Sequence, residues 1–138
     1  MPSIEVDIAR RLFSAARVAR LVTVSASTPH VVPFTFAVDG DLIYSAVDAK
    51  PKSTTNLRRL RNIRDNPRVA ALADHYEDDW SALWWVRADG LAAVVSEAEA
   101  MARPLGLLAG RYPQYAASPP AGPVIVIRVD RWTGWTAS

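Results

Sequence analysis

The sequence predicts a mainly β fold, in which six short antiparallel strands form a small closed or split barrel. Six runs rich in β-branched and aromatic residues alternate with turns of the hairpin type, such as Asp39-Gly40-Asp41. Because the chain has only 138 residues, closing the sheet on itself is a simple way to bury one face. The content of hydrophobic residues, 50%, is sufficient for one core, so a single domain over residues 1–138 is expected.

The first half of the chain is expected to form a surface helix followed by three strands. Apolar residues at three- and four-residue spacing predict an amphipathic helix from Ser3 to about Arg20. Strands then follow over residues 21–24, 30–38 and 42–47, and the first turn between them lies at Ser27-Thr28-Pro29. This order is typical of an antiparallel meander.

The second half is expected to add two helices and three strands. Ser53 is a good N-cap for a helix that ends at Asn66-Pro67. Another short helix is expected within Glu97–Arg111, where Pro104 and Gly106 should disturb it. The strands are expected over residues 68–73, 83–95 and 124–129.

The composition excludes several classes of site and partner. The chain has no cysteine, which excludes disulfides, thiolate metal sites and a cysteine nucleophile, so redox chemistry requires a bound cofactor. The net charge of +2 is too small to argue for nucleic acid. No apolar run is long enough to span a membrane, and the start lacks the order of a secretory signal. We therefore expect a cytoplasmic protein with neither a nucleic-acid nor a membrane partner.

Positive charge is concentrated in one segment. No carboxylate lies between Asp48 and Asp65, whereas six cations do: Lys50, Lys52, Arg58, Arg59, Arg61 and Arg64. The hydroxyl and N–H groups at the helix start near Ser53 favour an anion. Like charges along one helix are mildly destabilising, so an anionic ligand would compensate them. A solvated basic face paired with acids elsewhere explains the same pattern, and both interpretations stay open.

The remaining motifs indicate packing rather than catalysis. Of the five tryptophans, Trp80, Trp84 and Trp85 lie close together in sequence. Burial in the core or in a dimer interface is the default for indole rings, and stacking on a cofactor is the minority interpretation. The acidic run 74–79 with His75 defines no coordination geometry, so a solvated loop without metal is expected. The scattered glycines exclude a Rossmann or P-loop site.

Four segments, taken in order, resemble a known family. They are residues 22–34, the hairpin 39–45, the helix and strand start 58–69, and residues 85–90. Together they are similar to the pyridoxamine 5′-phosphate oxidase-like split barrels, and the resemblance spans nearly the whole chain. Within that family, residues 74–87 and Arg111-Tyr112-Pro113-Gln114-Tyr115 most resemble the F420-dependent subgroup of mycobacteria and other actinobacteria.

The resemblance implies a homodimer with two equivalent cofactor sites in the groove between the subunits. It implies that strand residues around 31–35 and the end of the next strand line the ring, and that basic residues beyond them hold the phosphate. Trp85 falls where the partner subunit of FMN enzymes offers a glutamine, and Trp135 resembles a C-terminal tryptophan that closes the pocket. The implied cofactor-binding residues are Val32, Pro33, Phe34, Ser45, Ala46, Lys50, Lys52, Ser53, Arg58, Arg59, Trp85 and Trp135.

The function implied by the resemblance is that of an F420-dependent oxidoreductase. It would transfer a hydride between C5 of the deazaflavin and a small organic substrate. An FMN-binding oxidoreductase of the same fold is the alternative, and a non-catalytic flavin-binding protein is a third hypothesis. No side chain is identified as catalytic. Tyr44, Tyr76 and Tyr112 are candidate proton donors, but each also fits a packed, hydrogen-bonded tyrosine.

Overall fold

A seven-stranded antiparallel sheet with four helices forms the protein in the computed structural model, which describes residues 4–47 and 54–138. A single turn of 3₁₀ helix, Trp80–Ala82, precedes the sixth strand. In chain order the elements are α1 (Val6–Ala15), β1 (Ala19–Ser25), β2 (Thr28–Phe34), β3 (Ala37–Asp39), β4 (Leu42–Ala46), α2 (Thr54–Asp65), β5 (Arg68–His75), β6 (Trp84–Val95), α3 (Ala98–Arg111), α4 (Pro113–Ala117) and β7 (Val124–Thr136).

The order of strands in the sheet is that of a barrel with a split. The strands lie in the order β2-β1-β5-β6-β7-β4-β3, so β2 and β3 occupy opposite edges although they are neighbours in the chain. Only Thr35 and Phe36 separate the two strands, and the sheet must therefore curl until its edges meet. The predicted mainly β, antiparallel fold is confirmed, and the predicted dimer stays a prediction.

The prediction of six strands is wrong, because the expected strand 30–38 is interrupted. The N–H of Phe36 donates to Tyr112 Oη over 3.1 Å, and Tyr112 Oη lies 3.1 Å from the carbonyl oxygen of Phe36. Ser45 Oγ donates to the carbonyl of Thr35 over 2.9 Å. Side chains thus satisfy the backbone here instead of a neighbouring strand. The hydrophobic pattern continues through the break and does not reveal it.

The first helix is shorter than the sequence predicts. It ends at Ala15, because Ala16 adopts an extended conformation with φ −69° and ψ 141°. The chain then enters β1 at Ala19 instead of continuing to Arg20 as a helix. The buried residues of this helix are Ala9 and Phe13.

The C-terminal half is more regular than the sequence predicts. The third helix continues through Pro104, whose ring is buried, and the short α4 that follows it was not predicted. The last strand extends to Thr136 because it pairs with β6 along the whole of that strand. This pairing makes β6 and β7 the longest ladder of the sheet, with one bulge at Asp89/Gly90.

The core fills the barrel, and helices close it. Phe13 of α1 and Leu60 and Ile63 of α2 are buried against the strand side chains. Asn62 Nδ2 donates to Thr23 Oγ1 over 3.1 Å, which fixes α2 to β1. Among the helices in the described part of the chain, none combines the length and apolar character needed to cross a membrane.

Candidate functional site

A cavity of about 280 Å³ opens at the split of the barrel, where β2 gives way to β3. Its wall combines the end of β2, the end of β4, the basic helix α2, the short helix α4 and the segment before β1. The lining residues are Val18, Pro33, Phe34, Thr35, Ser45, Ala46, Arg59 and Tyr115. Thr35, which lies in the interruption that sequence patterning did not reveal, is thus part of the cavity wall.

Hydroxyl groups supply much of the polar part of the cavity wall. Tyr115 Oη and Thr35 Oγ1 are 2.7 Å apart, and either oxygen can be the donor. Ser45 uses its proton to bond the Thr35 carbonyl. The rest of the wall includes the apolar side chains of Pro33 and Ala46. This combination suits a flat apolar ligand with a few polar edge groups.

Arg59 places a positive charge on the cavity wall. It lies on the inward face of α2 with Leu60 and Asn62, and its exposed fraction is only 8%. Burial lowers the pKa of Arg59, and an electrostatic interaction with Tyr115 partly opposes that shift. A guanidinium keeps its charge at neutral pH all the same. A partly desolvated cation of this kind favours a phosphate or carboxylate as ligand.

Tyr112 holds the cavity wall together from outside the cavity. Its buried hydroxyl contacts the Phe36 backbone, lies 3.0 Å from the carbonyl oxygen of Arg17 and accepts from Arg111 Nε over 3.1 Å. The other guanidinium nitrogens of Arg111 donate to backbone carbonyls at the end of α1. The rings of Tyr112 and Tyr115 pack edge to face, with centroids 5.6 Å apart. The position of Tyr115 in the cavity wall is thus fixed by the same network that closes the split.

The structure brings together five of the residues that the resemblance implies for cofactor binding: Pro33, Phe34, Ser45, Ala46 and Arg59. Val32 does not line the cavity and packs against the core instead. Arg58 is exposed and lies outside the lining set. The implied residues Lys50, Lys52 and Ser53 lie outside the described residues.

Trp85 and Trp135 do not lie on the cavity wall of their own chain. They are paired with each other across β6 and β7, and both are half-buried. Trp84 packs against the core, and alternation along β6 therefore places Trp85 on the outer face of the sheet. Pro33 of the cavity wall lies three strands from Trp85 and is offset from it by two residues. The two residues are therefore roughly 15 Å apart across the sheet.

Of the other three lining residues, sequence reasoning included Thr35 only within the strand segment around 31–35, and it missed Val18 and Tyr115. Val18 lies in the short connection between α1 and β1, for which the sequence offers no signal. Tyr115 belongs to the segment 111–115 that carries part of the resemblance, but no role followed from it. Two of the tyrosines considered as proton donors do not line the cavity. Tyr44 donates a hydrogen bond of 2.9 Å to Asp39, and Tyr76 is exposed.

The acidic run 74–79, which begins in the last two residues of β5, forms local contacts. His75 Nε2 lies 2.5 Å from Glu77 Oε2 on the surface. Asp79 Oδ1 accepts from both the N–H and the hydroxyl of Ser81, and these bonds lower the pKa of Asp79. In the part of the chain that the structure describes, no group of three or more His, Asp and Glu side chains is arranged to hold a metal ion.

Solved structures from several bacteria share this fold. A FAD-binding protein from Mesorhizobium loti matches with a TM-score of 0.77 and 16% identity, over 96% of this chain and 95% of that one. A conserved hypothetical protein from Mycobacterium tuberculosis matches with a TM-score of 0.74 and 24% identity, over 97% and 86%. The FAD-binding protein from Mycobacterium smegmatis matches with a TM-score of 0.68 and 16% identity, over 98% and 97%.

A family model matches most of the chain, although no curated protein matches the sequence. The model of the family described as pyridoxamine 5′-phosphate oxidase matches residues 7–136, which include every strand and every lining residue of the cavity. This chain therefore belongs to the pyridoxamine 5′-phosphate oxidase family.

Proposed function

We propose that this protein is an oxidoreductase that binds a flavin-type cofactor at the barrel split and acts on a small organic substrate. The observation that carries the proposal is the buried Arg59 guanidinium on the wall of a cavity that also has apolar and hydroxyl surfaces. A phosphorylated ring needs both a fixed cation and a flat apolar contact. The names of the structural neighbours from Mesorhizobium loti and Mycobacterium smegmatis, both FAD-binding proteins, support the same class of ligand.

The donor groups of the cavity fit such a cofactor. Pro33, Phe34 and Ala46 would contact the ring, Ser45 and Thr35 would face its polar edge, and Arg59 would hold the phosphate. When bound, the cofactor supplies hydride transfer, which no side chain of this chain can provide. The protein's own contribution is to bind the ring, orient it and exclude water from one of its faces.

We propose F420 as the cofactor and FMN as the alternative. The resemblance of residues 74–87 and 111–115 to the F420-dependent subgroup supports this choice. So does the exposed face of α2, where Arg58, Arg61 and Arg64 offer positive charge to a polyanionic tail. FAD is a further candidate, favoured by the names of two structural neighbours.

We also propose that two copies of the chain build each site. The cavity of about 280 Å³ lies just below the range of roughly 300–1,000 Å³ for ligand pockets, so a second surface would complete it. The outer face of the sheet carries apolar groups that suit a partner, namely Val31 with an exposed fraction of 58% and the half-buried Trp85 and Trp135. In this arrangement the partner's Trp85 and Trp135 close the mouth of the cavity.

Separate titrations with F420, FMN and FAD, followed by tryptophan fluorescence, test the cofactor assignment. F420 is expected to bind most tightly and to quench the indole emission. Tighter binding of FMN or FAD would assign that flavin, instead of F420, as the cofactor. Failure of all three to bind would contradict the proposed function. Turnover of the bound, reduced cofactor with candidate electron acceptors then separates an enzyme from a flavin carrier.

A further inference from the structure

Tyr115 is the polar cavity residue for which the proposed function gives no role. It lies on α4, a five-residue helix that follows α3 directly and brings the phenol to the cavity wall. Its hydroxyl lies 2.7 Å from Thr35 Oγ1, and its ring packs on Tyr112. Arg59 lines the same cavity. A phenol, an alcohol and a guanidinium are thus grouped at the split.

The pair of hydroxyls retains one hydrogen for a ligand. Each hydroxyl has one O–H hydrogen, and a single hydrogen bond between Tyr115 and Thr35 uses only one of the two. A phenol O–H is a stronger acid than an alcohol O–H, so the phenol is the better donor to an anion. Thr35 then donates to the phenol oxygen, which strengthens the outward bond through a chain of donors.

We propose that Tyr115, oriented by Thr35, is the second donor of an oxyanion subsite whose first donor is Arg59, and that it selects phosphorylated over unphosphorylated rings. This proposal rests on the proposed function for the identity of the ring. The anion itself is recognised by chemistry that is independent of the ring, namely one guanidinium and one phenol on a common wall. Tyr115 is therefore a specificity-determining residue, and Thr35 is a positioning residue.

The test compares FMN with riboflavin, which differ only in the phosphate, in wild type and in the Tyr115→Phe variant. Loss of one hydrogen bond to a charged group is expected to weaken FMN binding roughly tenfold. Riboflavin binding is expected to stay unchanged, so the preference for FMN falls by the same factor. If the chain binds only F420, the same comparison is made between F420 and its chromophore without the phosphate.

Three further variants make the result specific. Tyr44→Phe is the matched control, because it also removes a partly buried phenol hydroxyl but one that bonds Asp39 outside the cavity. It is expected to leave the preference for FMN unchanged. Thr35→Val is expected to lower the preference for FMN, but by less than Tyr115→Phe does. Thr35→Ser keeps the hydroxyl and is expected to keep the preference of wild type.

Two outcomes would overturn the subsite. One is an equal loss of FMN and riboflavin binding in Tyr115→Phe, which would make Tyr115 a ring contact. The other is an unchanged preference for FMN. If wild type binds no flavin or deazaflavin, the proposed function fails, and inorganic phosphate then tests the subsite alone. At constant ionic strength, phosphate should raise the Tm of wild type more than that of Tyr115→Phe, and equal shifts would overturn the subsite.

Discussion

The barrel split and the outer end of the β6–β7 ladder differ in what they offer a ligand. The split combines a buried cation, a pair of hydroxyls and an apolar wall in a small cavity. At the outer end of the ladder, Trp85 and Trp135 are paired across two long strands, on a face that this chain leaves partly uncovered. The first region has the donors that fix an anion, and the second has the large apolar surfaces that cover a ring or a partner.

This difference indicates which part of the ligand each region would contact in the proposed dimer. A cavity that holds a charge must be rigid, and the network around Tyr112 provides that rigidity within one chain. An aromatic surface that is only half-buried gains from association with another apolar surface. Each copy would therefore donate an anion site to one ligand and an aromatic cover to the other.

The largest effect is expected from a substitution that disrupts the barrel split and leaves the tryptophans at the outer end of the β6–β7 ladder unchanged. Tyr112→Phe removes the hydroxyl that accepts from the Phe36 N–H and from Arg111, and leaves both groups without that acceptor. Loss of these buried bonds is expected to lower the free energy of unfolding by about 2–4 kcal/mol. Urea denaturation measures the change. Tyr44→Phe, which removes one partly buried hydroxyl bond elsewhere, should lose clearly less; equal losses would mean that Tyr112 does not hold the split.

The next effect concerns the charge in the cavity. Arg59→Ala is expected to weaken cofactor binding by about 1.5–3 kcal/mol, or roughly ten- to a hundredfold, because a charge-assisted contact is lost. The protein without cofactor should lose little stability, since burial of the guanidinium is itself unfavourable. Isothermal titration measures the affinity. Arg58→Ala, its exposed neighbour, is the control, and an equal loss there would indicate a diffuse basic surface instead of a site.

A smaller effect is expected at the aromatic end, where adjacent tryptophans face opposite sides of the sheet. Trp85→Ala is expected to weaken the proposed dimer by about 2 kcal/mol, because truncated aromatic anchors typically cost this much at interfaces. Trp84→Ala should instead lower the free energy of unfolding, since Trp84 packs against the core. Sedimentation velocity separates the two variants. A wild-type chain that sediments as a monomer at micromolar concentration would contradict the proposed dimer.

The smallest effect lies outside both regions. Arg103 donates to Asp39 over 2.7 and 3.1 Å, and this bond, together with that from Tyr44, lowers the pKa of Asp39. The stabilisation is therefore present above the pKa of the unfolded carboxyl, about 3.9, and is lost as the pH falls through the lower folded value. Asp39→Asn should have a slightly lower Tm than wild type at neutral pH and the same Tm in strong acid. A difference that is independent of pH would rule out this ion pair as its cause.

The sequence predicted most of the strands because alternation and turn residues specify them locally. It missed the interruption at Thr35 and Phe36, since Tyr112, which satisfies the Phe36 backbone, lies 76 residues away. It also missed α4 and Tyr115, because a five-residue helix has too short a pattern to be detected. These features depend on contacts between distant segments, which no local pattern contains.

The candidate site was predicted in part for the same reason. Helical periodicity distinguishes Arg59 from Arg58, because Arg59 shares the inward face of α2 with Leu60 and Ile63. The resemblance grouped the two arginines together as phosphate candidates. Val32 was placed with its neighbours on the cavity wall but only packs against the core, whereas Phe34, on the same face of β2, reaches the cavity because it ends the strand at the split. The helical period thus carried information about the site that the resemblance alone did not use.

The most direct test of this account mixes two variants, Arg59→Ala and Trp135→Ala, at concentrations where both sediment as dimers. Each variant alone is expected to bind the cofactor weakly. If one chain supplies Arg59 and its partner supplies Trp135, random mixed dimers contain one intact site each, and about a quarter of all sites regain wild-type affinity. Titration of the mixture counts these sites. Recovery of none, with each variant alone still impaired, would show that both residues act within one chain and would contradict the shared site.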